Sequence, residues 1–372
     1  MKLSKYWSTI TLLIVLLVLI ALNITLIHSF QVSNPDKLLY NPETNVLDFS
    51  KLTMEQKIAQ MLIVYGKEEN SQQFQNMLTG GIFLDALPTE QDFIDRIETF
   101  QSNAVIPFFV TTDLEGCRNP FENFKQFPTF KEINSVEEAY QLGIDHGKIL
   151  ARLGFTMNFA PVIDLEDTIW NCRSFIGSPE EIAEKGKKYI QGIQEQGILA
   201  VAKHYPGKTL TVGDSHKIIV SASINKEDLI PFEMAIESEV NGLMMSHLIV
   251  DGFVNSKNKP AGLSPEIVQN ARQSFEGLIL TDEIGMQALS KYYFNESLKK
   301  TEFGKMFIEI FQGGADLILT FDKNPERIYT EMIQTVAKAV ELGQIDSNKI
   351  DRSVLKILKI KGISVINFPE RS

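Results

Sequence analysis

Ile198-Leu199-Ala200-Val201-Ala202-Lys203-His204-Tyr205-Pro206-Gly207 runs from an unbroken apolar stretch into a lysine, a histidine and a Pro-Gly break. A continuous apolar run of this length suits a parallel strand covered on both faces. Pro-Gly then turns the chain, so Lys203 and His204 stand where a buried strand gives way to a loop. After six more residues comes Asp214-Ser215-His216. Two of the five histidines, a lysine and an aspartate thus fall within one short segment. Loops held by a rigid scaffold carry a disproportionate share of chemistry. A histidine two residues from an aspartate can be held and charged by it, which suits proton transfer near neutral pH. A solvated loop is the alternative for an isolated Asp-x-His.

The same kind of run recurs along the chain. Strands are expected at Met61–Tyr65, Gly81–Leu84, Ile106–Asp113, Met157–Ile163, Ile198–Tyr205, Gly242–Leu248, Leu278–Asp282 and Ala315–Thr320. Amphipathic segments lie between them at Gln91–Phe100, Ser135–Leu153, Ser178–Gln196, Asn225–Glu239 and Ser264–Arg272. Two more follow, Asn324–Leu342 and Asp346–Lys361. Thr53-Met54-Glu55-Gln56 has the form of a capping box opening a helix. Eight strands alternating with helices predict an α/β fold of the (β/α)8 type. An open doubly wound sheet is the runner-up, weakened because no Gly-x-Gly-x-x-Gly turn follows the first strand.

The composition is that of a globular protein: 372 residues, 44% hydrophobic and 22% charged. A net charge of -11 argues against nucleic acid as a partner, since phosphate binding needs a basic face. Lys2 and Lys5 precede a run without charged residues from about Trp7 to Ile27. That is long enough for a membrane-spanning helix, and the lysines favour passing the rest of the chain outward. A cleaved signal segment is the alternative. The expected organisation is an anchor or signal at 1–30, a polar linker at 31–50 and a barrel at 51–372. The expected location is the cell membrane with the barrel outside, or secretion if the segment is cut. A monomer is expected.

Three carboxylates and several cations fall at expected strand ends. Asp282, in Leu278-Ile279-Leu280-Thr281-Asp282-Glu283, follows an apolar strand directly. Such a carboxylate can attack a sugar carbon, though an aspartate there also caps helices. Asp113, in Thr112-Asp113-Leu114-Glu115-Gly116, invites the same two readings. Arg173, in Asn171-Cys172-Arg173-Ser174-Phe175, can fork onto an oxygen-rich ligand or form a structural ion pair. Asp164 is a supporting carboxylate at the end of the fourth run, and His247 ends the sixth. His146 reads as a structural histidine within a helix. No His-x-x-x-His or Cys-x-x-Cys spacing suggests a metal, and no phosphate loop is evident.

Taken in order, these motifs resemble glycoside hydrolase family 3, and within it the single-domain β-N-acetylhexosaminidase branch of the NagZ type. The resemblance spans about residues 50 to 362. It is carried by Leu52–Met61, Asp113–Gly116, Asn158–Asp164, Arg173–Phe175, Lys203–Gly207, Asp214–His216, Pro260–Pro265, Thr281-Asp282, Gly314–Asp316 and Ile350–Val354. By this resemblance Asp282 is the nucleophile, and His216 is the general acid/base assisted by Asp214. Asp113, Arg173, Lys203 and His204 bind the non-reducing-end sugar. The implied reaction is retaining removal of terminal β-linked N-acetylglucosamine from peptidoglycan-type glycans, without metal or organic cofactor.

Cys117 stands where the family usually has a second glycine, and Cys172 precedes Arg173. These are the only cysteines. A disulfide between the two loops is one expectation in an oxidising exterior, and two free thiols are the other. Trp170 invites a sugar-stacking or a packing role. Two further functional readings are a β-glycoside phosphorylase and a non-catalytic glycan-binding envelope protein.

Overall fold

The computed structural model describes residues 39–368 apart from 212, 215 and 216. The expected anchor at 1–30 lies outside the described residues. Among the described residues no helix is long and apolar enough to cross a membrane.

Eight parallel strands form the centre. They are β1 (Leu62–Tyr65), β2 (Gly81–Phe83), β3 (Phe109–Thr112), β4 (Met157–Asn158), β5 (Leu199–Tyr205), β6 (Gly242–Met245), β7 (Leu278–Thr281) and β8 (Ile318–Thr320). Each pairs with the next in chain order from β1 to β7, and β8 pairs with β1. A bridge at Leu280–Leu317 links β7 to the approach of β8, so the sheet curls round almost to closure. Thr281 N–H donating to Leu317 O at 3.0 Å tightens that seam. This is the expected α/β barrel.

The strands sit where the apolar runs predicted because both of their faces are covered. Ile63, Val64, Ile82, Val110, Ala200, Leu243 and Ile279 are all buried. Neighbouring residues in β1 point to opposite faces, yet all of them lack solvent. Burying one such aliphatic side chain stabilises the fold by roughly 1.5–3 kcal/mol. Truncating Ile279 to alanine would cost about 2–5 kcal/mol.

Helix starts follow the sequence signals. Thr53 and Gln56 close a reciprocal capping box before Met54–Gln60, with bonds of 3.0 and 3.2 Å. Ser178 and Glu181 do the same for Pro179–Gln194.

Four departures have physical causes. The fourth strand is expected to run to Ile163 but ends at Asn158. Pro161 has no N–H for the ladder, and only an isolated bridge, Val162–Lys203, continues the pairing. Residues 39–50, expected within the linker, are folded. Tyr40–Asn41, Val46–Asp48 and Ser364–Ile366 form a small sheet, and Leu47 and Phe49 are fully buried. A helix at Phe303–Gly313, absent from the expected segments, stands between β7 and β8. The expected segment 324–342 is broken into Pro325–Arg327, a π-helical stretch Ile328–Ile333 and an α-helix Gln334–Glu341.

Candidate active site

The carboxyl ends of the strands converge on a compact set of charges. Asp113 directly follows β3, Lys203 and His204 lie in the last part of β5, and Asp282 directly follows β7. A register shift between Lys203 and Tyr205 re-aims the end of β5. Arg173 comes from the loop after β4.

Lys203 is the centre of the first cluster. Its Nζ lies 2.7 Å from Asp113 Oδ1 and 2.7 Å from Glu115 Oε2. Arg173 Nη2 lies 2.7 Å from Glu115 Oε1. Arg118 Nε stands 3.7 Å from Asp113 Oδ2. Glu115 is wholly buried and Lys203 is 2% exposed. Charges so enclosed are stable only when paired, and here each one is.

The electrostatics follow from that pairing. Burial opposes ionisation of Asp113, but Lys203, Arg118 and Arg173 outweigh it and hold the carboxyl well below the usual range. Asp113 and Glu115, with Asp282 beyond them, raise Arg118 further. Arg173 is raised too, despite its burial, by Glu115, Asp113 and Asp282. Asp282 is therefore close enough for its charge to reach both guanidiniums. Asp113, Lys203, Arg173 and Asp282 are brought into one electrostatic unit.

His204 belongs to a second buried pair. Its Nδ1 lies 2.8 Å from Asp164 Oδ2. The amide of Thr209 donates to Asp164 Oδ1 at 3.2 Å, and Ser174 Oγ donates to the Asp164 carbonyl at 2.5 Å. A carboxylate facing Nδ1 requires a proton on that nitrogen and fixes the ring's orientation. Asp164 thus has the supporting position expected of it.

Asp282 is half-buried. Its backbone N–H extends the β7–β6 ladder to Met245 O at 3.1 Å, and its Oδ1 accepts from the Glu283 amide at 2.8 Å. His247, just past β6, donates through Nε2 to the Glu283 carbonyl at 3.0 Å. It therefore supports the turn that presents Asp282. His146 sits on its helix with Nδ1 2.8 Å from Tyr189 Oη, which also accepts from Asn158 Nδ2 at the end of β4 at 3.2 Å.

Asp214 lies in the loop after β5, its Oδ2 2.9 Å from Lys217 Nζ. Thr168, from the loop after β4, donates its N–H to Leu210 O at 3.0 Å and joins the two loops. His216 lies outside the described residues, so its pairing with Asp214 stays an expectation.

Two loops are tied together over the Lys203 cluster. Cys117 and Cys172 are joined in a disulfide with Cα atoms 5.4 Å apart. They neighbour Arg118 and Arg173 in sequence. Gly116 allows the approach. Its φ is +50°, and a Cβ there would lie 2.4 Å from Cys172 O. Asp167 pins the other side, accepting from the amides of Trp170, Cys172 and Arg173 at 2.8–2.9 Å. Trp170 itself is half-exposed.

Glu115, Arg118 and Asp167 were not among the expected site residues. For Glu115 a signal existed. Asp113 and Glu115 are two apart in a chain leaving a strand, so they share a face. Asp167 and Arg118 carried no such signal.

Residues 53–360 match the glycosyl hydrolase family 3 N-terminal domain. Beta-hexosaminidase LpqI of Mycobacterium tuberculosis is 28% identical over 342 residues, covering 84% of this chain and 83% of that protein. The solved structure of M. tuberculosis LpqI superposes with a TM-score of 0.75 at 25% identity, over 85% of this chain and 95% of that one. A glycoside hydrolase family 3 beta-N-acetylglucosaminidase from Paenibacillus sp. FPU-7 also gives a TM-score of 0.75, at 27% identity. That match covers 84% of this chain and 62% of the Paenibacillus protein, so the chain spans about three-fifths of that relative. With the barrel matched across most of its length, the chain belongs to glycosyl hydrolase family 3.

Proposed function

We propose that the protein is a retaining exo-β-N-acetylglucosaminidase with Asp282 as nucleophile. The observation that carries this reading is a half-buried Asp282 at the carboxyl end of β7, on the same rim of the barrel as the paired charges of Asp113 and Lys203. The names of its relatives, beta-hexosaminidase and beta-N-acetylglucosaminidase, support the choice of sugar.

In this reading Asp113, Lys203, Arg173 and His204 hold the hydroxyls of the terminal sugar. Asp113 serves as an ionised acceptor, since its cationic neighbours keep it deprotonated. Arg173 and Lys203 donate, and Glu115 fixes both. The sugar's anomeric carbon then faces Asp282. Attack by one Asp282 oxygen forms a glycosyl ester while His216, assisted by Asp214, protonates the departing oxygen. Neutral His216 next takes a proton from water, which attacks the same carbon and releases the sugar with retained configuration.

Peptidoglycan-type glycans outside the membrane are the proposed substrate. The Cys117–Cys172 disulfide supports an oxidising location. Attachment through residues 1–30 rests on their sequence, and fractionation of cells expressing the full chain tests it.

Hydrolysis of a chromogenic β-N-acetylglucosaminide tests the function, with a β-glucoside as control. The expected result is turnover of the first substrate, with Asp282→Asn and His216→Ala each lowering kcat at least a thousandfold. Unchanged turnover in Asp282→Asn, or a preference for the glucoside, would overturn the reading. Release of free sugar rather than sugar phosphate in phosphate buffer separates hydrolysis from phosphorolysis.

A further inference from the structure

A cavity of about 380 Å³ opens between the helix Phe303–Gly313 and the π-helical stretch Ile328–Ile333. Its walls are mainly apolar: Met306 and Phe307 from the first helix, Phe321 just past β8, and Ile328 and Met332 from the second. Phe303 stands at its edge, 43% exposed. Asp282 is not among the lining residues, although its neighbour Glu283 is. Pockets of this size with apolar walls and a few polar groups bind small molecules, and barrels favour them at the carboxyl ends of strands. π-Helical turns are rare and frequently mark functional sites.

The polar groups define the ligand. Glu283 lies at one end, its Oε1 accepting from the amides of Gly285 and Phe321 at 2.8 Å each. Neither bond uses Oε2. Arg327 is committed to Asp322, with Nε 2.5 Å from Oδ2. Glu331 completes the charged lining. Three carboxyls thus face one guanidinium that is already paired. Such a lining attracts a cation and repels an anion.

We propose that this cavity binds a small organic amine, with its apolar body among Phe307, Phe321 and Met332 and its ammonium on Glu283. The pairing has a pH signature. Burial pushes the Glu283 carboxyl up to about 7. Below that pH it is neutral and holds an ammonium weakly. The groups facing it are Asp282 through the Glu283 amide, His247 through the Glu283 carbonyl, and Asp322, Arg327 and Glu331 across the cavity.

Calorimetric titration of the full folded chain with benzylamine, benzyl alcohol and benzoate tests this. Saturable benzylamine binding is expected at pH 8, at least tenfold tighter than benzoate and at least tenfold weaker at pH 5.5. Met332→Trp, which fills the space, abolishes binding. Phe303→Ala, at the open edge, weakens it at least threefold without disturbing the core. Glu283→Gln removes the advantage of benzylamine over benzyl alcohol. Thermal melts establish that each variant is folded. No saturable benzylamine binding by the folded wild-type chain, equal affinity for benzoate, or full binding by folded Met332→Trp would overturn the proposal. An unchanged amine preference in folded Glu283→Gln would do the same.

Discussion

Replacing Glu115 by glutamine tests whether the buried charge cluster holds the site together. The side chain keeps its shape but loses the charge that lies 2.7 Å from Lys203 and 2.7 Å from Arg173. Among the described residues Arg173 then has no carboxylate within 4 Å, and Lys203 keeps only Asp113. Breaking a buried ion pair by removing one partner costs about 3–5 kcal/mol, because the remaining charge stays desolvated. With about 2.1 cal/mol/K of unfolding entropy per residue over roughly 330 folded residues, that becomes a fall in Tm of about 4–7 °C. Differential scanning calorimetry at pH 7 reads the shift. The same change frees two donors assigned to the sugar, so kcat/KM falls further than folding alone accounts for at 25 °C. A Glu115→Gln protein melting within 1 °C of wild type would mean that the buried charges do not hold the site together. So would one that melts lower yet keeps full kcat/KM.

Other consequences follow from the same geometry. The Cys117–Cys172 bridge closes a loop of 55 residues. In the chain-entropy account its removal by Cys117→Ser/Cys172→Ser lowers stability by about 4 kcal/mol, measured by urea unfolding beside the wild type without reductant. Unchanged stability would mean that Asp167 alone organises these loops. Glu283 has its folded-state pKa raised by burial from 4.5 to about 7. Its contribution to stability is therefore complete below pH 4.5 and is lost as pH rises through 7, amounting to about 3 kcal/mol. Glu283→Gln should flatten the fall in stability between pH 5 and 8. An unaltered slope would place the responsible group elsewhere.

The barrel was legible because parallel strands buried on both faces leave plain apolar runs, as Leu278–Thr281 and Leu199–Ala202 do. Phe303–Gly313 was absent from the expected segments although its apolar residues at 303, 306, 307, 310 and 311 recur at helical spacing along one stripe. Met306, Phe307, Ile310 and Phe311 are buried, while Phe303 is exposed. Residues 39–50 read as polar because their three buried side chains, Leu39, Leu47 and Phe49, are spaced among turn formers. The site was legible where a charged residue ends an apolar strand, as at Asp113, Lys203 and Asp282. Its partners were harder to read. Ninety residues separate Lys203 from Asp113, and 58 separate Arg173 from Glu115. Such pairings are set by the barrel's closure rather than by local pattern, and the one local cue was the two-residue spacing of Glu115 from Asp113.

Mass spectrometry of the protein after reaction with a slow, fluorinated N-acetylglucosaminide asks whether Asp282 carries the covalent intermediate. One glycosyl adduct is expected, carried by the peptide containing Asp282 and absent from Asp282→Asn. An adduct on another carboxylate, or turnover with inverted configuration and no adduct, would contradict that role.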